Sequence, residues 1–351
     1  MLVSARVQGA TAMTTGRLGE GVPAQGSPVR AASADRVPPN AAYAGQAVRF
    51  PDPVRAARYP AGVVVDGGGR PVFTPYARAA VEIAEPPTGF GVDELRLTDY
   101  VSANAAMAAS GDELWEGLSP VATPHGWTWH HVADSRRLEL VPVEVKALLR
   151  HHGGLATARV EHGRRGTRPL QQTKPAHFGL PRELVAVEER QVLALEEDLG
   201  YRLPGAYRSF LKAGGGCAPV GVALDAELGL LVDQPFFTVR EEAAVNDLAY
   251  VNKCLRDHVT KDYLGVAFVQ GGLLVVKVRG EATGSVWFCP YDDARDRDGL
   301  DAAARVRELL LPCGEDFDAF LSRLAGSPPE LETVAQLMVD GGFARVVPVG
   351  E

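Results

Sequence analysis

The sequence predicts an α+β protein in two domains, and three observations carry that prediction. A chain of 351 residues is longer than one small domain needs and long enough for two cores. From Ala41 to Ala158 short apolar runs are broken by Gly and Pro, whereas after Pro181 helix-period and strand-period segments alternate. Between them Glu161 to Phe178 is polar, basic and aperiodic, the character of a linker. The expected boundaries are a disordered lead-in over 1–38, a first domain over 39–160, a linker over 161–180, a second domain over 181–326, and a C-terminal helix and strand over 327–351.

In the first domain, Tyr59-Pro60-Ala61-Gly62-Val63-Val64-Val65 and Pro71-Val72-Phe73 are short apolar runs. Trp127, Trp129 and His131 then alternate with Thr128 and His130, a period of two that predicts a strand. Asp134-Ser135-Arg136-Arg137 reads as a turn, and Leu138 and Leu140 resume the alternation, completing a hairpin. Pro142 suits a first helical turn, and Val145, Leu148, Leu149 and His152 would share one helical face before Gly153-Gly154. His152, on that apolar face, reads as a core histidine.

The second domain opens with Val192, Leu195 and Leu199 on one helical face and Gly200 at the C-cap position. A second helix follows Leu203-Pro204, burying Ala206, Phe210 and Leu211. Strand-like runs cover 228–232, 264–269, 273–278 and 285–289, and Phe317, Phe320, Leu321 and Leu324 mark a further helix.

Charge is unevenly spread: the first 34 residues carry +2, residues 35–165 carry −1 and residues 166–351 carry −9, giving the net −8. The first domain therefore has no broad basic face, and nucleic-acid contact there would have to be local. The acidic second domain suits a basic protein partner. Cys217, Cys254, Cys289 and Cys313 form no CxxC pair, which argues against a zinc knuckle and for a reduced, cytoplasmic chain. No apolar run reaches the length of a membrane span, and the first residues lack the apolar core of a secretory leader. The run Asp292-Asp293-Ala294-Arg295-Asp296-Arg297-Asp298-Gly299 lacks the spacing of a calcium loop and reads as a solvated loop.

A strand–turn–strand–helix unit can gather strand-borne and helix-borne histidines around one divalent ion. Phosphodiester hydrolysis needs a deprotonated water and a stabilised leaving oxygen, which an imidazole and a metal can supply. Neighbouring histidines on a strand face opposite ways, so His130 and His131 can hold different tasks. Here the sequence resembles the HNH/endonuclease VII superfamily, in particular its WHH nucleases of bacterial polymorphic toxins. The resemblance spans residues 40–158 and includes Tyr43-Ala44-Gly45, Tyr59-Pro60 with Gly62-Val63, Phe73 with Tyr76-Ala77, Asp99, Ala103-Asn104, Trp129-His130-His131, Leu140-Val141-Pro142, and His151 with Gly153-Gly154. It implies a ββα-metal fold, His131 as general base, and His130 and His151 as ligands of a divalent ion such as Zn2+, Ni2+ or Mg2+. One position departs: four residues after the Leu-Val-Pro the family usually has histidine, and here stands Lys146. An ammonium cannot ligate a cation, although Lys146 could contact a phosphate. His152 or Glu144 are possible replacements. Two readings follow, a nuclease with an altered metal site or a degenerate domain.

Residues 181–326 resemble the SMI1/KNR4 (SUKH) family through the acidic helix, Leu203-Pro204, Tyr207, Phe210-Leu211, the glycine cluster at 214–216 and Gly284-Ser285-Val286-Trp287-Phe288. That resemblance implies an immunity-like binding domain whose partner is a protein toxin or the chain's own nuclease domain. The leading expectation is a metal-dependent, toxin-type nuclease acting on nucleic acid and fused to a SUKH domain. The alternative is an immunity or scaffold protein with an inactive nuclease domain, and a third reading is cis-inhibition.

Overall fold

The computed structural model describes residues 37–85, 92–154, 176, 178–179, 187–225, 228–239, 245–255, 258–293, 295–326 and 329–350. Apart from Val37 and Pro38 the expected lead-in lies outside the described residues, as does most of the expected linker.

The first half runs β1 (Ala47–Val48), α1 (Pro53–Arg58), β2 (Val63–Val65), β3 (Pro71–Val72), β4 (Ala79–Ile83), α2 (Val92–Ala109), β5 (Trp127–His131), β6 (Arg137–Pro142) and α3 (Val143–Lys146). Asp52 starts α1 by accepting the Arg55 N–H at 2.8 Å, with Pro53 in the first turn. β5 and β6 form the expected hairpin, in register Trp129↔Leu140 and His131↔Leu138. Asp134 makes its turn at φ 55°.

The second half continues with β7 (Phe178–Gly179), α4 (Glu189–Leu199), α5 (Gly205–Gly214), β8 (Ala218–Pro219), β9 (Ala223–Asp225), β10 (Leu230–Val232), α6 (Leu248–Cys254), β11 (Tyr263–Val269), β12 (Gly272–Lys277), β13 (Val286–Pro290), α7 (Ala302–Leu309), β14 (Leu311–Gly314), α8 (Phe317–Arg323), β15 (Ala325–Gly326), α9 (Pro329–Asp340) and β16 (Ala344–Val347). A Glu188–Gln191 capping box opens α4, and Gly200 closes it in the left-handed region at φ 73°. β11 to β14 form a four-stranded antiparallel sheet in chain order. Its core includes Val192, Leu195, Leu211, Phe317 and Phe320, which the sequence pattern picks out, and Tyr207, which it does not, while Ala206 and Phe210 are only partly buried against it.

Two features tie the halves together. β16 pairs antiparallel with β4, so the sheet carrying the histidine hairpin has the order β16-β4-β6-β5 and draws one edge from the C-terminus. α9 packs on α2, and Leu97, Val101, Ala105, Val121 and Ala122 share an apolar cluster with Val222, Leu224, Leu231, Leu331 and Ala335. A buried polar seam lies beside it. Asp233 accepts from the Gln270 amide at 2.7 Å and from the Thr123 N–H at 3.3 Å, and Gln234 accepts from the Gly126 N–H at 2.9 Å. Burial raises the Asp233 pKa to about 6.

Candidate functional site

The pleat of β5 sends alternate side chains to two environments. On the α2 side, the Trp129 indole donates to Asn104 Oδ1 at 2.7 Å, and His131 Nε2 lies 3.0 Å from Asp99 Oδ2. Arg136 grips the same Asp99 carboxylate in a fork, at 2.7 and 2.9 Å. Asp99 is 1% exposed and His131 3%, so this is a buried His–Asp–Arg arrangement. On the other side, the His130 ring meets Phe73 at 4.8 Å and His151 at 5.0 Å between centroids. The two histidines do face opposite ways, and the structure brings His130 and His151 together while His131 stands apart from them.

Lys146 is 4% exposed and its Nζ donates to the Trp129 carbonyl at 2.6 Å. Burial lowers its pKa to about 8 against the opposing pull of Asp292. His151 is fully buried, and burial lowers its pKa to about 4, with Asp292 again opposing and Lys146 adding to the fall. His130 is held well below the usual imidazole value by burial first, and then by His151, Lys146 and His131. Both rings are therefore neutral at pH 7.

The closure comes from the second half. His151 forms a parallel β-bridge with Asp292, its N–H reaches the Tyr291 carbonyl at 3.3 Å, and the Gly153 N–H donates to Asp292 Oδ1 at 2.8 Å. Arg150 reaches Asp296 and the Leu300 carbonyl, and His152 meets the Asp296 carbonyl. Three expectations are corrected here. The acidic run is no solvated loop: Asp292, Asp293 and Asp296 are 8%, 0% and 1% exposed, each satisfied by partners across or beside the seam. The helix after Pro142 stops at Lys146, because residues 150–153 are drawn into contacts with the second half. His152 is accordingly half-buried against that loop and not on an apolar helix face.

His130 Nδ1 and His151 Nε2 are buried without hydrogen-bond partners, the state expected of two metal-ligand nitrogens. The rest of the donor set does not fit. Lys146 puts an ammonium beside both rings, and its charge lowers the pKa of each. Glu144 is committed to Arg58 at 2.5 Å and to the Tyr59 hydroxyl at 2.7 Å. Among the described residues no three His, Cys, Asp or Glu side chains are placed to hold a metal ion. Sequence reasoning passed over two residues of this site. Asp99 stood in the family text without a role, and nothing local marked Asp292 as the group that meets His151.

Residues 119–161 match the model of a nuclease of the HNH/ENDO VII superfamily with conserved WHH, and residues 186–323 match the SMI1/KNR4 family (SUKH-1). The chain joins a WHH nuclease-family segment to a SUKH-1 domain. Both family resemblances drawn from the sequence are thereby confirmed, with the α+β class, the nuclease match covering 119–161 of the expected 40–158. Nucleases of this superfamily generally use a divalent metal and act on nucleic acid. No curated protein matches the chain. Among the described residues no helix is long and apolar enough to cross a membrane.

Proposed function

We propose that this chain is an immunity-type SUKH binding protein built on a WHH segment that no longer cuts. The observation that carries the reading is the closed histidine cluster: His130, His131, Lys146 and His151 are each no more than 5% exposed, with Asp292 of the SUKH domain bridged to His151. A scissile phosphate needs a water and, in this superfamily, a metal at the same point. Lys146, buried and bonded to the Trp129 carbonyl, supplies the wrong charge for that ion. The segment's remaining contribution is architectural: its sheet, with β16 added, and α2 form a platform for the SUKH half.

The test uses the full chain, since the shared sheet and core make the first half unfit to be judged alone. The chain and its His131→Ala variant are incubated with plasmid DNA and with RNA in Mg2+, Mn2+, Ni2+ or Zn2+. The expected result is no cleavage above buffer by either. Metal-dependent cleavage that disappears in His131→Ala would sink the proposal.

A second reading, a nuclease held closed in cis by its own SUKH domain, is favoured by the intact His131–Asp99 pair at 3.0 Å, the geometry of a base oriented by a carboxylate. Asp292→Ala loosens the closure without touching that pair. Metal-dependent cleavage that appears only in Asp292→Ala would select this second reading.

A further inference from the structure

The SUKH half is acidic, and its described cations are mostly neutralised. Of the thirteen Lys and Arg side chains described between 187 and 326, nine are ion-paired. Of the four that are not, Lys261, Lys277 and Arg279 gather on one face, and Arg307 lies elsewhere. That face surrounds an open cavity of about 460 Å³ between the end of α4, α6 and the start of β11. Tyr201 and Tyr263 stand in its wall, with Arg279 over the first ring at 4.9 Å and Lys277 over the second at 5.9 Å. Lys253 also lines it, tied loosely to Asp198 at 3.5 Å. Among the described residues, no lining side chain is bonded to the WHH segment.

We infer that this cavity is a docking site for a short acidic segment of a partner protein. Unpaired cations spread at random would carry no meaning on a surface this charged. Their concentration around one concave, tyrosine-walled site, in a half (residues 166–351) of net −9, supplies a local positive field for carboxylates, and the tyrosines supply apolar contact area beneath them. A short segment fits better than a nucleic acid. A few carboxylates stay within about 8–10 Å of the cations, the screening length at physiological salt, whereas a longer polyanion would run onto the surrounding acidic surface. This also revises the expectation from net charge that the domain faces a basic partner. The inference rests on the SUKH half being the partner-binding half and is independent of whether the WHH segment cuts.

The experiment measures fluorescence anisotropy of a labelled octapeptide of Asp and Glu titrated with the full chain. An octalysine peptide and an eight-nucleotide single-stranded DNA are run alongside. We expect saturable, salt-sensitive binding of the acidic peptide, weakened on the order of tenfold in the double variant Lys261→Glu/Arg279→Glu. Arg307→Glu, which reverses an unpaired cation outside the cavity, should bind within about twofold of the parent. All the altered side chains are exposed, and the Ala double variant at 261 and 279 is a milder check that should give an intermediate loss. Absence of saturable binding, an equal loss in Arg307→Glu, or tighter binding of the oligonucleotide would overturn the inference. Cleavage is read separately, so failure here leaves the proposed function standing.

Discussion

Replacing Lys146 by Met keeps the length and apolar body of the side chain and removes its charge. The fall of the Lys146 pKa from 10.5 to about 8 corresponds to about 3 kcal/mol of cost for holding the ammonium in the folded chain. The sign follows from proton counting. Between pH 8 and 10.5 the unfolded chain holds the proton that the folded chain has released, so this residue's contribution to stability rises with pH there, and the full cost is carried below pH 8. Met also strips the Trp129 carbonyl of its donor at 2.6 Å, a loss of about 1–3 kcal/mol, so at pH 7 the two proteins should differ little or the variant should be slightly more stable. The informative quantity is the pH dependence of the difference. Urea unfolding of the parent and Lys146→Met, followed by tryptophan fluorescence from pH 7.5 to 10, should show the variant losing about 2 kcal/mol relative to the parent. Tyrosines and thiols titrate equally in both proteins and cancel. A difference constant within about 0.5 kcal/mol across that range would refute the buried, charged lysine.

Three further outcomes follow from the same geometry. His151, whose pKa falls from 6.5 to about 4, stays neutral when folded, so its contribution is lost as pH drops through that window, by about 3 kcal/mol. Asp233, raised to about 6, acts in the opposite sense there, so the comparison to make is parent against His151→Phe, whose unfolding free energy should lack that acid-side loss. Gly153→Ala would place a Cβ 2.6 Å from the His131 carbonyl and 2.7 Å from Asp292 Oδ2. It should lower stability by about 1–3 kcal/mol in urea titration, and a shift under 0.5 kcal/mol would mean that the bridge is looser than described. Ala344 of β16 is 7% exposed and packs into the cluster around Trp129 and Leu138, so Ala344→Arg should cost more than about 2 kcal/mol by the same titration.

Local signals are legible in the sequence and long-range ones are not. The period of two through Trp127, Trp129 and His131, the turn chemistry at Asp134, and the face Val192–Leu195 capped by Gly200 each depend on residues within a few positions, and each reappears in the fold. The helix expected from Pro142 to His152 has a sound apolar face. It fails after Lys146 because the backbone at 150–153 is committed to residues 291–296, about 140 positions away. The same separation hid the burial of the acidic run, whose composition alone suits solvent. Lys146 was legible as a departure from the family text, but its partner, the Trp129 carbonyl, was not, since a backbone acceptor leaves no trace in side-chain identity. The pairing of β16 with β4 joins residues more than 260 positions apart, and an edge strand of four residues has no pattern that names its neighbour.

The closed histidine cluster is tested most directly by its reactivity. The full, folded chain is treated with diethyl pyrocarbonate and the modified histidines are located by mass spectrometry. His125, which is exposed, and half-buried His152 should react, while His130, His131 and His151 stay unmodified until the chain is unfolded in urea. Modification of His131 or His151 at the rate of His125 in the folded chain would contradict the account, because it would mean that the cluster is open to solvent and to a phosphate.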